Sequence, residues 1–169
     1  MKPNLRRNSE LTFIAAADAA NLPVEKGLSA VNADDRVCIQ FADRTSCTGS
    51  VDMDDAYRIA EGQSNRWDYG IGYRVENDEF AVWIEPHSAT SDREVATMVK
   101  KLKWLKNKLA QEDFEALRKL TEKAAKKGFK RFWWVTDGKI GIRKGTKDTN
   151  LLSKQGLNFP CRMVTLGRD

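Results

Sequence analysis

The sequence predicts an α+β or mixed α/β domain, a mixed sheet with a long helix packed on it. Three observations carry that expectation. Stretches with strand character come in adjacent pairs. One long helix with a single apolar stripe follows the central pair. The element order β, β, α, β, β, α, α, β, β, α, β lacks the regular strand–helix alternation of βαβ units. With 169 residues, 41% of them hydrophobic, the chain can fill one core, so residues 1–169 are read as a single domain.

Residues 1–34 read as an N-terminal extension, with a short helix capped by Ser9 and running through Ala20 before Pro23 and Gly27 break the chain. Lys2, Arg6 and Arg7 ahead of "LTFIAAA" imitate a secretory signal, but Glu10 and Asp18 confine the apolar run to the short limit for one, and the segment is read as mature sequence. "RVCIQF" (36–41) and "TSCTGSV" (45–51) are two strands joined by a turn at Ala42–Arg44. In "DMDDAYRIAEG", Asp52 caps a helix over 53–61, Asp54 and Asp55 suit its positive end, and Gly62 stops it. This segment lacks the glycine and distal glutamate of a calcium-binding EF-hand loop.

Strands follow over 67–74 and 79–86, with Asn77 and Asp78 as turn formers. Ser91 and Glu94 make an S-x-x-E capping box. Val95, Met98, Val99, Leu102, Leu105 and Leu109 then form one helical stripe. A second helix, "DFEALRKLTEKAAKKG", ends at Gly128, and "KRFWWVTDGKIGIRKG" reads as a hairpin across Asp137–Gly138. A short helix near Leu151–Gln155 and a strand over 161–166 complete the series.

The ionisable residues of the central pair of strands stand out. Side chains at i and i+2 share a face of a strand. Glu85 and His87 therefore lie side by side with Trp83, and Asp68 shares its face with Gly70, Gly72 and Arg74. Trp67, Tyr69, Ile71 and Tyr73 form the opposite face. Gly70 and Gly72 leave the area beside Asp68 without bulk, which suits close approach by a ligand or another backbone. If the strands pair, Asp68 and Glu85 converge. Two converging carboxylates repel unless a cation fills the site. An oxygen-rich site of this kind suits Mg²⁺ with retained waters, and the cation could stabilise charge at a scissile phosphate.

The layout over residues 50–145 resembles the PD-(D/E)XK, restriction-endonuclease-like nuclease superfamily. That family's core is a helix, a hairpin bearing Asp then (Asp/Glu)-x-Lys, a helix packing on the sheet, and a further strand. Here the helix is 53–61, Asp68 lies on the first hairpin strand, "EPH" (85–87) on the second, the capped helix covers 91–110, and a strand follows at 131–136. The resemblance implies that Asp68 and Glu85 hold Mg²⁺ or Mn²⁺, joined by Asp55 or Glu61 from the preceding helix. His87 takes the place of the lysine that positions or activates water. Lys101 or Lys103 could supply the missing ammonium, because that lysine sometimes migrates. No Pro precedes Asp68, and Pro86 sits inside the motif, where its missing N–H suggests a strand end or edge.

From Lys100 to Arg131 the chain has 12 Lys/Arg and 4 Asp/Glu, an excess of 8 that exceeds the +5 of the whole chain. Lys100, Lys106, Lys130, Arg131 and Trp133 are the candidates for contacting nucleic acid. One of Trp133 and Trp134 must face the core. The implied function is a metal-dependent nucleic-acid phosphodiesterase. The alternative is an inactive nuclease-fold binding module, an immunity, inhibitor or phage- or defence-associated protein with a protein or nucleic-acid partner. A third reading, a small-molecule-binding domain, rests on the glycine-lined Asp68 strand.

Each residue also has a plainer reading. Asp68 could pair with Arg66 or Arg74, Glu85 could be a solvated strand end, His87 a hydrogen-bonding residue, and the lysines solvated faces. His87 is the single histidine, which excludes a multi-histidine metal site. Three cysteines without a CxxC pair argue against a disulfide framework or zinc site and fit a reducing cytoplasm. No run of 18 apolar residues predicts a membrane span. Nucleotide-hydrolase, serine-esterase and thioredoxin chemistry find no motif.

Overall fold

A computed structural model describes residues 10–168. In chain order the elements are α1 (Phe13–Ala19), β1 (Val24–Glu25), α2 (Ala33–Arg36), β2 (Ile39–Phe41), β3 (Thr45–Asp52), α3 (Met53–Tyr57), β4 (Tyr69–Val75), β5 (Asp78–Pro86), α4 (Asp92–Leu109), α5 (Glu115–Lys126), β6 (Phe132–Val135), α6 (Lys147–Lys154) and β7 (Val164–Leu166). The main sheet has the order β1-β3-β4-β5-β6. β3, β4 and β5 are an antiparallel meander, and β6 joins parallel to β5. Parallel neighbours need a long crossover, and α4 and α5 supply it. The fold is therefore mixed α/β, with a long helix on a mixed sheet.

Strand parity sorts the sheet's two faces. Tyr69, Ile71 and Tyr73 with Phe80, Val82 and Ile84 belong to a core closed by Val31, Ile39, Val164 and Leu166. Ile39, Val164 and Leu166 come from a second, two-stranded parallel sheet, β2 with β7. The other face presents Ala81 and Trp83 to Phe13, Met98, Leu102, Leu117 and Leu120 of α1, α4 and α5. Trp83 is held there by its indole N–H, which donates to Thr121 Oγ1 at 3.0 Å. The molecule thus has three layers: helices, the main sheet and the small sheet.

Several expectations change. The helix expected from Ser9 begins at Phe13, with Thr12 as the cap accepting from Ala15 N–H, while Ser9 lies outside the described residues. Residues 13–31 are part of the core rather than an appendage, since Phe13, Ala16 and Ala17 are fully buried and β1 pairs with β3. The strands at 39–41 and 45–52 enter different sheets instead of pairing with each other. Val75 pairs with Asp78, so the turn is Glu76–Asn77, and Glu76 rather than Asp78 takes the positive φ.

Trp67 lies ahead of β4 and joins the helix-side core against Phe132, not the Tyr69 face. The return strand across Asp137–Gly138 is absent. The edge of β6 is taken instead by parallel bridges to Leu157 and Cys161, and residues 139–143 cross to Ala89, whose carbonyl accepts Gly141 N–H at 2.8 Å. Nor do Gly70 and Gly72 line a ligand space. A Cβ at Gly72 would overlap the Phe13 ring, and one at Gly70 would meet Trp83 and Val51. The small-molecule reading loses its support with them.

Candidate functional site

Asp68 stands one residue before β4, and Glu85 is the penultimate residue of β5. Tyr69 pairs with Ile84, so Asp68 and Glu85 are the next positions outward. The Asp68 N–H donates to Glu85 Oε2 at 2.8 Å, and the Asp68 carbonyl accepts Met53 N–H at 2.7 Å. Glu85 is 0% exposed, which overturns the solvated-strand-end reading. Nor does Asp68 pair with a neighbouring arginine. Arg66 bonds Asp54, and Arg74 bonds Glu79.

The partner of both carboxylates comes from α4. Lys101 Nζ donates to Asp68 Oδ1 at 3.2 Å and also to Glu85 Oε1. Of the two lysines considered, Lys103 is exposed, because it points away from the stripe of Met98, Leu102 and Leu105 that seats α4. With all three groups charged, the cluster carries one uncompensated negative charge. Burial pushes the Glu85 carboxyl well above the ordinary carboxylate range, and Asp68 adds to the rise. Burial raises Asp68 as well, against the pull of Lys101. Burial alone would lower Lys101, but the two carboxylates outweigh it and hold its ammonium more firmly than usual.

His87 closes the other side. Its Nδ1 lies 3.8 Å from Glu85 Oε1, and its Nε2 lies 2.8 Å from Glu94 Oε2. Its main chain is fixed to β6, where the N–H donates to Val135 O and the carbonyl accepts from Trp134 Nε1. Pro86 fits without loss. Trp83 and His87 donate to the β6 side, so by alternation the nitrogen of Pro86 faces past the start of β4, where a donor has no ladder partner. The expected capping box does not form, for Ser91 makes no side-chain cap bond and Glu94 turns to His87 instead. Glu94 is the site residue that sequence reasoning missed. The cue was its spacing: seven residues, two helical turns, separate it from Lys101 on one face of α4.

Other candidates lie elsewhere. Asp55 pairs with Arg58 at the surface. Glu61 pairs with Lys108 and accepts Trp104 Nε1. Lys100 is on the exposed face of α4, while Lys106 donates to Gln155 O and lies over Phe132. Arg131 also lies over the Phe132 ring. Lys130 covers Trp133, which packs on the opposite sheet face from the buried Trp134. Lys106 and Arg131 thus lie by Phe132, and Lys130 by Trp133, which β6 sends to the opposite sheet face.

Two carboxylate oxygens are the kind of donor a hard divalent cation takes, and here the point they share is filled by the Lys101 ammonium. Asp68 Oδ1 and Glu85 Oε1 converge on one point, as their shared Lys101 ammonium demonstrates. Among the described residues, no group of three or more His, Cys, Asp and Glu is placed to hold a metal. A cation there would keep water and substrate oxygens as its remaining ligands, which is the habit of Mg²⁺. Among the described residues no helix is long and apolar enough to cross a membrane. No protein-family model, curated protein or solved structure matches the chain.

Proposed function

We propose that the protein is a metal-dependent nucleic-acid phosphodiesterase of PD-(D/E)XK type. The observation that carries the reading is the delivery of Lys101 by α4 to a point shared by Asp68 and Glu85. An acidic pair on adjacent strands and an ammonium beside them are the three parts such a site needs. The order of helix, hairpin, long helix and further strand supports the reading. A divalent ion held by Asp68 and Glu85 would supply charge neutralisation at a phosphodiester and a bound water of lowered pKa. Lys101 orients both carboxylates and offers positive charge to a phosphate oxygen. His87, fixed by Glu94, faces the same cluster with its Nδ1 3.8 Å from Glu85 Oε1.

The test is cleavage of plasmid and single-stranded DNA and of RNA with Mg²⁺, Mn²⁺ or a chelator. Cleavage is expected only with metal, and Asp68→Ala and Glu85→Gln should each reduce it by at least about a hundredfold. Metal should also raise the melting temperature of the parent chain and not that of Asp68→Ala. Absence of both effects sinks the reading. A binding module is the second reading, favoured by the fact that Lys101 already bonds to both carboxylates at the point they share. It calls for salt-sensitive nucleic-acid affinity, or a protein partner, that survives Glu85→Gln.

A further inference from the structure

A cavity lies on the helix side of the sheet, close to the cluster of Glu85 and His87 but apart from it. It has a volume of about 330 Å³, and its walls include Trp134, Leu152, Leu157 and Phe159, with Lys144 and Asn158 among its polar residues. That volume is within the roughly 300–1,000 Å³ of small-molecule sites, which combine apolar walls with a few polar groups. Trp134 joins the two places. It pairs in register with Glu85, and its indole N–H donates to the His87 carbonyl at 2.9 Å.

The chemistry of the wall selects the occupant. Lys144 Nζ lies 4.7 Å from the centre of the Phe159 ring, so a cation and an aromatic face stand together. Lys144 is the charged residue of the wall, while the neighbouring Arg143 is paired with Asp92. Asn150 and Asn158, both exposed and both lining the cavity, offer amide donors and acceptors. An aromatic face, an edge of amides and one ammonium suit a planar heteroaromatic ring that carries an anion. Aromatic side chains accept any nucleobase by stacking, and a lysine answers its phosphate. A fatty acid would use the apolar wall and the lysine but leave the amides without a role.

We propose that this cavity is a nucleotide-binding site, with the base against Phe159 and Trp134 and the phosphate at Lys144. The inference rests on the cavity's own chemistry. Only its further reading, as the seat of a base next to the phosphate being cleaved, rests on the function proposed above.

The test is a titration of the metal-free full chain, followed by NMR at the Trp134 indole and the Phe159 and Asn158 amides. The probes are adenosine monophosphate, cytidine monophosphate, adenosine and dodecanoate. Both nucleotides should give saturable shifts at these positions. Adenosine, and adenosine monophosphate with Lys144→Ala, should bind about tenfold more weakly, the loss of one charge-assisted hydrogen bond. Phe159→Leu keeps apolar volume but removes the aromatic face, and should also weaken the nucleotides. Glu85→Gln should bind as the parent does, so the result stands apart from the fate of the nuclease reading. The site is refuted if nucleotides produce no saturable shift, if Lys144→Ala binds them unchanged, or if dodecanoate binds in preference to them.

Discussion

Glu85 is a carboxylate without solvent, beside a second carboxylate, and one ammonium serves both. Removing that ammonium strands a buried charge. Lys101→Ala should destabilise the chain by about 3–5 kcal/mol, measured by urea unfolding at mildly alkaline pH. The loss should shrink as pH falls, because Glu85 can then take up a proton. The same logic gives the parent a pH signature. The folded-state pKa of Glu85 is raised, so between the ordinary value of 4.5 and that raised value the native state holds a proton the unfolded state has released. Stability should therefore fall as pH rises through this window, and Glu85→Gln should flatten the slope. Lys101 is also raised, so its contribution is complete below its ordinary 10.5 and disappears only as pH climbs through the folded value. At this scale much was legible: parity put Glu85 and His87 on one face, and pairing of the two strands added Asp68. It could not choose between Lys101 and Lys103, nor see that Glu94 would leave a cap for an imidazole, because both depend on how α4 is rotated against the sheet.

Two helix starts that look alike in sequence behave differently. Asp52 accepts the Asp55 N–H at 2.8 Å, whereas Ser91 makes no side-chain cap bond. Asp52→Ala should lower stability by about 1 kcal/mol, and Ser91→Ala should leave it nearly unchanged. A thermal melt of the two variants side by side checks the contrast. Within β4, Gly72 is required by the Phe13 ring that covers it. Gly72→Ala should cost about 1–3 kcal/mol by forcing that ring aside, while Gly72→Ala combined with Phe13→Leu should recover part of the loss. The helices and central strands were readable from periodicity and turn residues. The segment after Asp137 was not: a strong turn pair suggests a hairpin, but the edge of β6 was already claimed by residues far along the chain, and no local signal records that.

Across the whole molecule, mixed α/β class and the long helix on the sheet followed from the order of elements. The split into two sheets did not, since pairing β2 with β7 joins segments near opposite ends of the described chain. Val164, fully buried in that small sheet, covers the apolar face of the hairpin. Val164→Asp should uncover it and cost several kcal/mol, about 3 or more, by burying an unpaired charge. Loss of hydrogen-exchange protection at Ile39 and Phe41 alongside Val164 would locate the damage. The position of β7 also bears on how the chain is made. During translation β2 leaves the ribosome ahead of β3 to β6 and waits for its sheet partner until those strands have also emerged. Through that interval Ile71, Tyr73, Phe80 and Val82 lack the β7 part of their cover.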